Sequence, residues 1–522
     1  MSRNACRKSA VVLALATAVA ACGGGSKTAS TNTGAPKAGN TLTVAVGSPP
    51  NSLNPGTVDN AFTTFTLLAY DPLIYQASDG SLQPDLAKSW KYVGAGNKQF
   101  DLTLRANAKF SDGSAVDAKA VKASLDYARK ALGPQAPLLA GVTAINVTGP
   151  LSLSIMLAAP NPMVPQVLTQ YYGIGQIISP KGLAAPKELT VANGSAGAGP
   201  YVFEPKQSVA GDHYTYLARP GYFEPARQHY KKVVVRVIAN PQAVLNALKT
   251  GQVDVVAGGD TSTASQATAA GMQVVSMPFV WQGLNLIDRG GEVSKPLGDV
   301  RVRQAINYAI DRKTVSQAVL GKYGVPTVET VVKGADGYSA QAAGKYPYDP
   351  EKAKTLLTAA GYPNGFTLPV LSVQFGGIDT MAQAISGQLA KVGIKVKLTT
   401  VADTQTYVTD MTNRKFPVVV VAYGGQSMYL EGAGLFLPAA AVFNGFKTAS
   451  PNLATLYAKA SAADPKPRAA FDVQMQEYLV DNAWFAPVAF SPVLYFARAD
   501  LGGLKVNAQA PVACPLDWFN TK

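Results

Sequence analysis

His213 and His229 are the only histidines in 522 residues, and both fall in one stretch, HYTYLARPGYFEPARQHY. A multi-histidine metal centre is therefore excluded, and a serine or cysteine nucleophile would lack its usual base. No G-x-S-x-G elbow occurs, and the two histidines read as polar surface residues. The Gly-rich run Gly194–Gly199 leads into the strand-like PYVF rather than a helix, so it lacks the setting of a phosphate loop. Asp117, Asp299, Asp311 and Asp349 each stand before a helical pattern and read as N-caps. No catalytic residue, metal ligand or cofactor is expected. What the residues do allow is recognition. The run PVVVVAY ends at Tyr423 and opens into Gly424-Gly425-Gln426-Ser427-Met428-Tyr429-Leu430-Glu431. Ligands of open α/β sheets bind beyond the carboxyl ends of strands, which puts this loop at a candidate site. Tyr423 and Tyr429 would offer flat contact surfaces there. Asn51 and Ser52, just past the strand-like TLTVAVG, are a second set of candidate hydrogen-bonding groups.

These residues need a scaffold, and composition bounds it. The chain is 47% apolar and 15% charged, with 48 Gly and 35 Pro, which excludes a mostly disordered chain. Its length exceeds what one core supports, so at least two packed lobes are expected. Net charge is +14, falling to about +11 without the N-terminal Arg3, Arg7 and Lys8. Lys and Arg are scattered, with no basic stripe, so nucleic acid is not an expected partner.

The N-terminus sets the compartment. Arg3, Arg7 and Lys8 precede a short apolar run, Ser9 to Ala21, of secretory-signal form. Val19-Ala20-Ala21-Cys22 resembles the bacterial lipoprotein lipobox, which implies lipidation of Cys22 and cleavage before it. Residues 22–40 then read as a flexible tether, rich in Gly, Ser and Thr. Cys514 would remain alone, without a disulfide partner. No other segment approaches the length of a membrane span.

Along the mature chain, KKVVVRVIAN (Lys231–Asn240) reads as a buried strand. Pro241 opens a helix with Val244, Leu245 and Leu248 on one face, and VDVVAG returns as a strand after Gly251. The pattern recurs as strand Phe366–Gln374, helix Asp379–Val392 and strand IKVKLTTV, with PVVVVAY following. Such units imply parallel crossovers and α/β architecture.

Five segments then match a known family in collinear order: SLQPDLAKSW from Ser81, FDLTLRANAKFSDG from Phe100, AGPYVF from Ala198, DVRVRQAINYAIDRKTVSQAVLGKYGVPT from Asp299 and YDPEKAKTLLTAAGYPNGF from Tyr348. Together they resemble the family 5 extracellular solute-binding proteins, the oligopeptide, dipeptide and nickel receptors of bacterial ABC importers. The resemblance implies an α/β, two-lobed periplasmic-binding-protein type II-like fold, with two crossing strands and an extra inserted subdomain. Mapped by order, 1–21 is the signal peptide; 41–72, 190–284 and 485–522 form lobe I; 73–189 is the inserted subdomain; 285–484 form lobe II. The crossings are expected near Trp281–Asp288 and Trp484–Ser491, which makes Trp281 and Gln282 candidates for the cleft floor. Arg301 and Arg303 are expected to serve helix and surface pairing.

Function follows from the same resemblance. It implies capture of a peptide or peptide-like solute between hinged lobes and delivery to a membrane permease with its ATPase. The protein would be a lipid-anchored monomer on the extracytoplasmic face of the cell membrane, in the periplasmic space or cell envelope. Peptide-binding members carry an Asp three positions after the aromatic at the Gly-rich loop, where it pairs with the ligand ammonium; here that position is Gln426. Either Glu431 supplies the charge, or the ligand lacks a free amine there. The alternatives are a non-peptide solute such as a sugar or chelated metal, and a sensor lipoprotein without a transport role.

Overall fold

The computed structural model describes residues 39–131, 133–425, 427–439, 442–505 and 512–521. Cys22, the signal segment and Gln426 therefore lie outside the described residues.

Valine density makes the first lobe's strands. Gly39–Val46 and Tyr230–Val237 pair in parallel, Val44 opposite Val235 and Val46 opposite Val237. Asn240 then caps the helix Pro241–Lys249, its side chain accepting from the Ala243 N–H, and Val244, Leu245, Ala247 and Leu248 are buried. The chain returns as Val255–Ala257, which pairs with the other edge of Gly39–Val46. The crossover thus steps over a strand supplied from the far N-terminal side. Lobe II repeats the arrangement. Phe366–Val373 lies between two parallel neighbours, Ile394–Val401 and Val418–Gly424, and the helix Ile378–Ala390 buries Met381, Ile385 and Leu389.

Two 13-residue strands, Gln273–Asn285 and Phe485–Ala497, join the lobes as an antiparallel pair. They weld both trios into one 11-stranded sheet, flanked in lobe I by His213–Ala218 and Tyr201–Phe203, with Val325–Pro326 pairing on Phe485–Ala497 as the eleventh strand. Trp281 and Leu284 with Phe485 to Phe490 pack into the lobe II core, whereas Tyr495 and Ala497 pack into lobe I with Val275 and Val493 beside them. The change of core falls between residues 276 and 280 on one strand and 491 and 493 on the other. A register shift between Pro278 and Val280 marks the same place.

A separate antiparallel sheet, in the order Ala87–Tyr92, Gln99–Leu104, Ser152–Leu157, Val142–Gly149, forms the inserted subdomain. The helix Ala118–Lys130, capped by Asp117 and burying Val121, Leu125 and Ala128, packs with it, and its core is continuous with lobe I. Residues 512–521 return to lobe I, where Trp518 and Cys514 are buried. Arg303 departs from the expected surface pairing. It is buried and donates to the carbonyls of Leu297 at 2.7 Å and Asn482 at 3.1 Å, closing the ends of neighbouring segments.

Candidate functional site

Three strands end at one place. Past Val46 come Gly47 and Ser48, past Ala257 comes Gly258, and Val418–Gly424 ends in Gly424; all of these line a cavity of about 560 Å³. Phe279, Val280 and Val493 of the connecting strands form its floor, Phe62 and Phe65 close it from lobe I, and Tyr172 reaches it from the inserted subdomain. The position agrees with the general placement of ligands beyond strand carboxyl ends. Local backbone geometry demands glycine here. The Gly425 N–H donates to the Phe279 carbonyl at 2.5 Å, and a Cβ on Gly425 would stand 2.8 Å from that oxygen and from Phe490.

The structure gives the other expected residues varied surroundings. Tyr423 is half-buried opposite Trp281 in the sheet, its ring edge-on to Phe443 with centroids 5.2 Å apart. Its hydroxyl lies against Gly434, where a Cβ would come within 2.1 Å. Burial, then the charge of Glu431, raises its phenol pKa. Tyr429 is buried and stacked on Tyr457, centroids 4.6 Å apart and planes at 9°. Glu431 is fully buried, not a solvated loop acid. Its Oε2 accepts from the Thr330 hydroxyl, its Oε1 has no hydrogen-bond partner, and burial drives the carboxyl well above its usual range.

Asn51 and Ser52 are engaged within their own loop. Asn51 Nδ2 donates to the Thr57 carbonyl at 3.0 Å, its Oδ1 accepts the Asp59 N–H at 2.9 Å, and Ser52 Oγ meets Thr57 Oγ1 at 2.8 Å. Trp281 is fully buried, edge-on to Phe485, with no partner for its Nε1. Gln282 is buried and donates to the Gly376 carbonyl at 3.2 Å. Of the expected residues, Gly424 is brought onto the chamber wall and Gly425 lies against its floor strand. Phe62, Phe65, Tyr172, Phe279 and Tyr495, which line the chamber, were not anticipated. Phe62 and Phe65 share the short helix Asn60–Phe65, but Tyr172, Phe279 and Tyr495 come from segments more than a hundred positions away, and no local spacing links them to it.

Tyr172 also lines a second cavity of about 230 Å³ between the inserted subdomain and lobe II. Tyr92, Met163 and Gln166 face Ser427, Leu430 and Arg468 across it. Burial pushes the Tyr172 phenol to about 12. Asp336 pairs with Arg468 at 2.9 Å on the wall. Asp472 lies buried 3.6 Å from the same guanidinium, and desolvation raises its pKa to about 7 against the pull of Arg468. Asn97 Nδ2 donates across the gap to Ser461 O at 3.0 Å and Ala463 O at 2.9 Å. Among the described residues no group of three or more His, Cys, Asp or Glu is placed to hold a metal, and no helix is long and apolar enough to cross a membrane.

Comparison with known proteins places this geometry. Residues 81–433 match the model of the bacterial extracellular solute-binding proteins, family 5 Middle. The glutathione-binding protein GsiB of Salmonella paratyphi A is 27% identical over 366 residues, 69% of each chain. A Brucella ovis protein named as an ABC transporter peptide-binding protein is 30% identical over 371 residues, covering 68% of this chain and 67% of that one. The structure of HbpA2 from Haemophilus parasuis superposes with a TM-score of 0.80 at 21% identity, covering 92% of this chain and 99% of that one. With a cleft at the strand ends, two lobes on two connecting strands and a family match over most of its length, the chain belongs to the family 5 bacterial extracellular solute-binding proteins.

Proposed function

We propose that the chamber at the strand ends captures a peptide-like solute and that the protein delivers it to the permease of an ABC importer. The observation that carries this reading is the convergence of both lobes and both connecting strands on one cavity of about 560 Å³. That volume suits a small organic solute. The names of the Salmonella and Brucella relatives, glutathione-binding and peptide-binding, support the peptide-like class.

The mechanism is hinge closure. A solute entering between open lobes meets glycine backbone, ring faces and hydroxyls. Closure swings lobe II about residues 276–280 and 491–493, expels water and stabilises the closed form by the affinity it adds. The closed surface docks on the permease, and no bond of the solute is made or broken. The protein acts as a monomer and not as an enzyme. Cys22, once lipidated, holds it on the extracytoplasmic face of the membrane.

Two measurements test this. Solution scattering should show a smaller radius of gyration when a binding peptide is added at saturation; an unchanged radius would argue against closure. Cys22→Ser should move the protein from the membrane fraction to the soluble fraction of the envelope. Retention at the membrane would remove the anchor from the reading.

A further inference from the structure

Among the described residues, the walls of the larger chamber carry no charged side chain. Gly47, Ser48, Asn60, Thr64, Gly258 and Gly424 supply its polar surface, and aromatic and aliphatic side chains supply the rest. No Asp, Glu, Lys, Arg or His lines it among the described residues. Even this polarity is partly engaged, since Thr64 Oγ1 donates to the Ala513 carbonyl at 2.8 Å. The phenols of Tyr172 and Tyr495 are held neutral by burial.

Acids that flank the wall along the chain are committed elsewhere. Asp59 accepts the Ala61 N–H at 2.9 Å, and Asp260 accepts the Ser262 N–H at 2.8 Å. Asp254 accepts the Thr43 N–H at 2.7 Å and pairs with Arg498 at 3.0 Å. Asp517 accepts the Tyr75 hydroxyl at 2.5 Å. Glu431 is sealed inside lobe II against Thr330. The internal stretches outside the described residues bring no charge either: 132, 426, 440 and 441 are Leu, Gln, Ala and Ala, and 506–511 read VNAQAP. Arg468, which pairs with Asp336 at 2.9 Å and lies 3.6 Å from Asp472, lines the smaller cavity and not the larger chamber.

A free ammonium or carboxylate enclosed by these walls would lose its hydration without gaining a counter-charge. An amide or an acetyl group would lose little, because its dipoles match backbone and hydroxyl partners. We infer that the larger chamber selects a solute uncharged along the part it encloses, in the form of an end-blocked peptide or a similarly capped amide, in preference to a free zwitterionic peptide. This inference rests on the peptide-like reading above and narrows its substrate class.

The test uses the mature full chain, stripped of any resident solute by unfolding and refolding. Tetrapeptides of matched sequence are offered in two sets, one with free termini and one N-acetylated and C-amidated. Enrichment is read by native mass spectrometry and affinity by calorimetry. The blocked set is expected to bind at least about tenfold more tightly than its free counterpart. Equal or tighter binding of the free set overturns the charge selection and leaves the peptide-like function standing. If no member of either set binds, the peptide-like function itself fails, and this inference falls with it.

Discussion

Glu329 lies buried between segments of lobe II, and its Oε1 accepts the Ser339 N–H at 2.8 Å. Desolvation pushes its carboxyl up to about 7, with the Ser339 hydrogen bond opposing the shift and Glu477 adding to it. The folded chain therefore holds this proton more tightly than the unfolded chain. Its contribution to stability is full below the ordinary glutamate range, near 4.5, and is lost as pH rises through about 7. Glu329→Gln keeps the acceptor and removes the charge. Calorimetry should find it stabilising by about 2 kcal/mol near pH 8 and close to neutral near pH 4.5. A side chain of this kind is hard to read from sequence. Glu431 was open to a role as counter-charge because it lies five residues past Gln426 in the same Gly-rich stretch. Its burial is set by Thr330, 101 positions away, and no local pattern announces that contact.

At the scale of elements, much was legible, because caps and periodicity act over a few residues. Asp117, Asp299, Asp311 and Asp349 all accept N–H groups in the first turns of their helices. The strand-helix-strand units around 231–257 and 366–401 form where valine runs and Gly stops indicated. Their neighbours were not legible: the insertion of Gly39–Val46 between Tyr230–Val237 and Val255–Ala257 depends on a pairing across nearly two hundred positions. The connecting strands were expected only through the family resemblance, near Trp281–Asp288 and Trp484–Ser491, and they run Gln273–Asn285 and Phe485–Ala497. Gly283 shows how closely the two strands approach. A Cβ there would meet Ala486 O at 2.4 Å and Pro487 Cα at 2.7 Å, both backbone atoms of the partner strand. Gly283→Ala should cost about 1–3 kcal/mol in denaturant unfolding, since neither contact can rotate away.

For the molecule as a whole, Asn97 provides two polar bonds between the inserted subdomain and lobe II. Asn97 has φ of 51°, a left-handed conformation that Gly adopts without strain. Asn97→Gly thus removes the bonds while keeping the turn. Scattering in the absence of solute should report a larger radius for this variant, and solute affinity should fall several-fold with little change in melting temperature. Chain length called for at least two lobes, but their arrangement on two connecting strands was legible only through the collinear family segments, since periodicity specifies units and not their arrangement. One detail of that plan reaches beyond the cleft. Gly39 N–H donates to His229 O at 2.8 Å, and the adjoining Tyr230 hydroxyl holds Asn520 at 2.9 Å, so both ends of the folded body sit on lobe I. The strand that starts at Gly39 reaches the chamber only at its other end, roughly 25 Å away. A load applied at Gly39 would therefore enter lobe I at the strand end opposite the chamber.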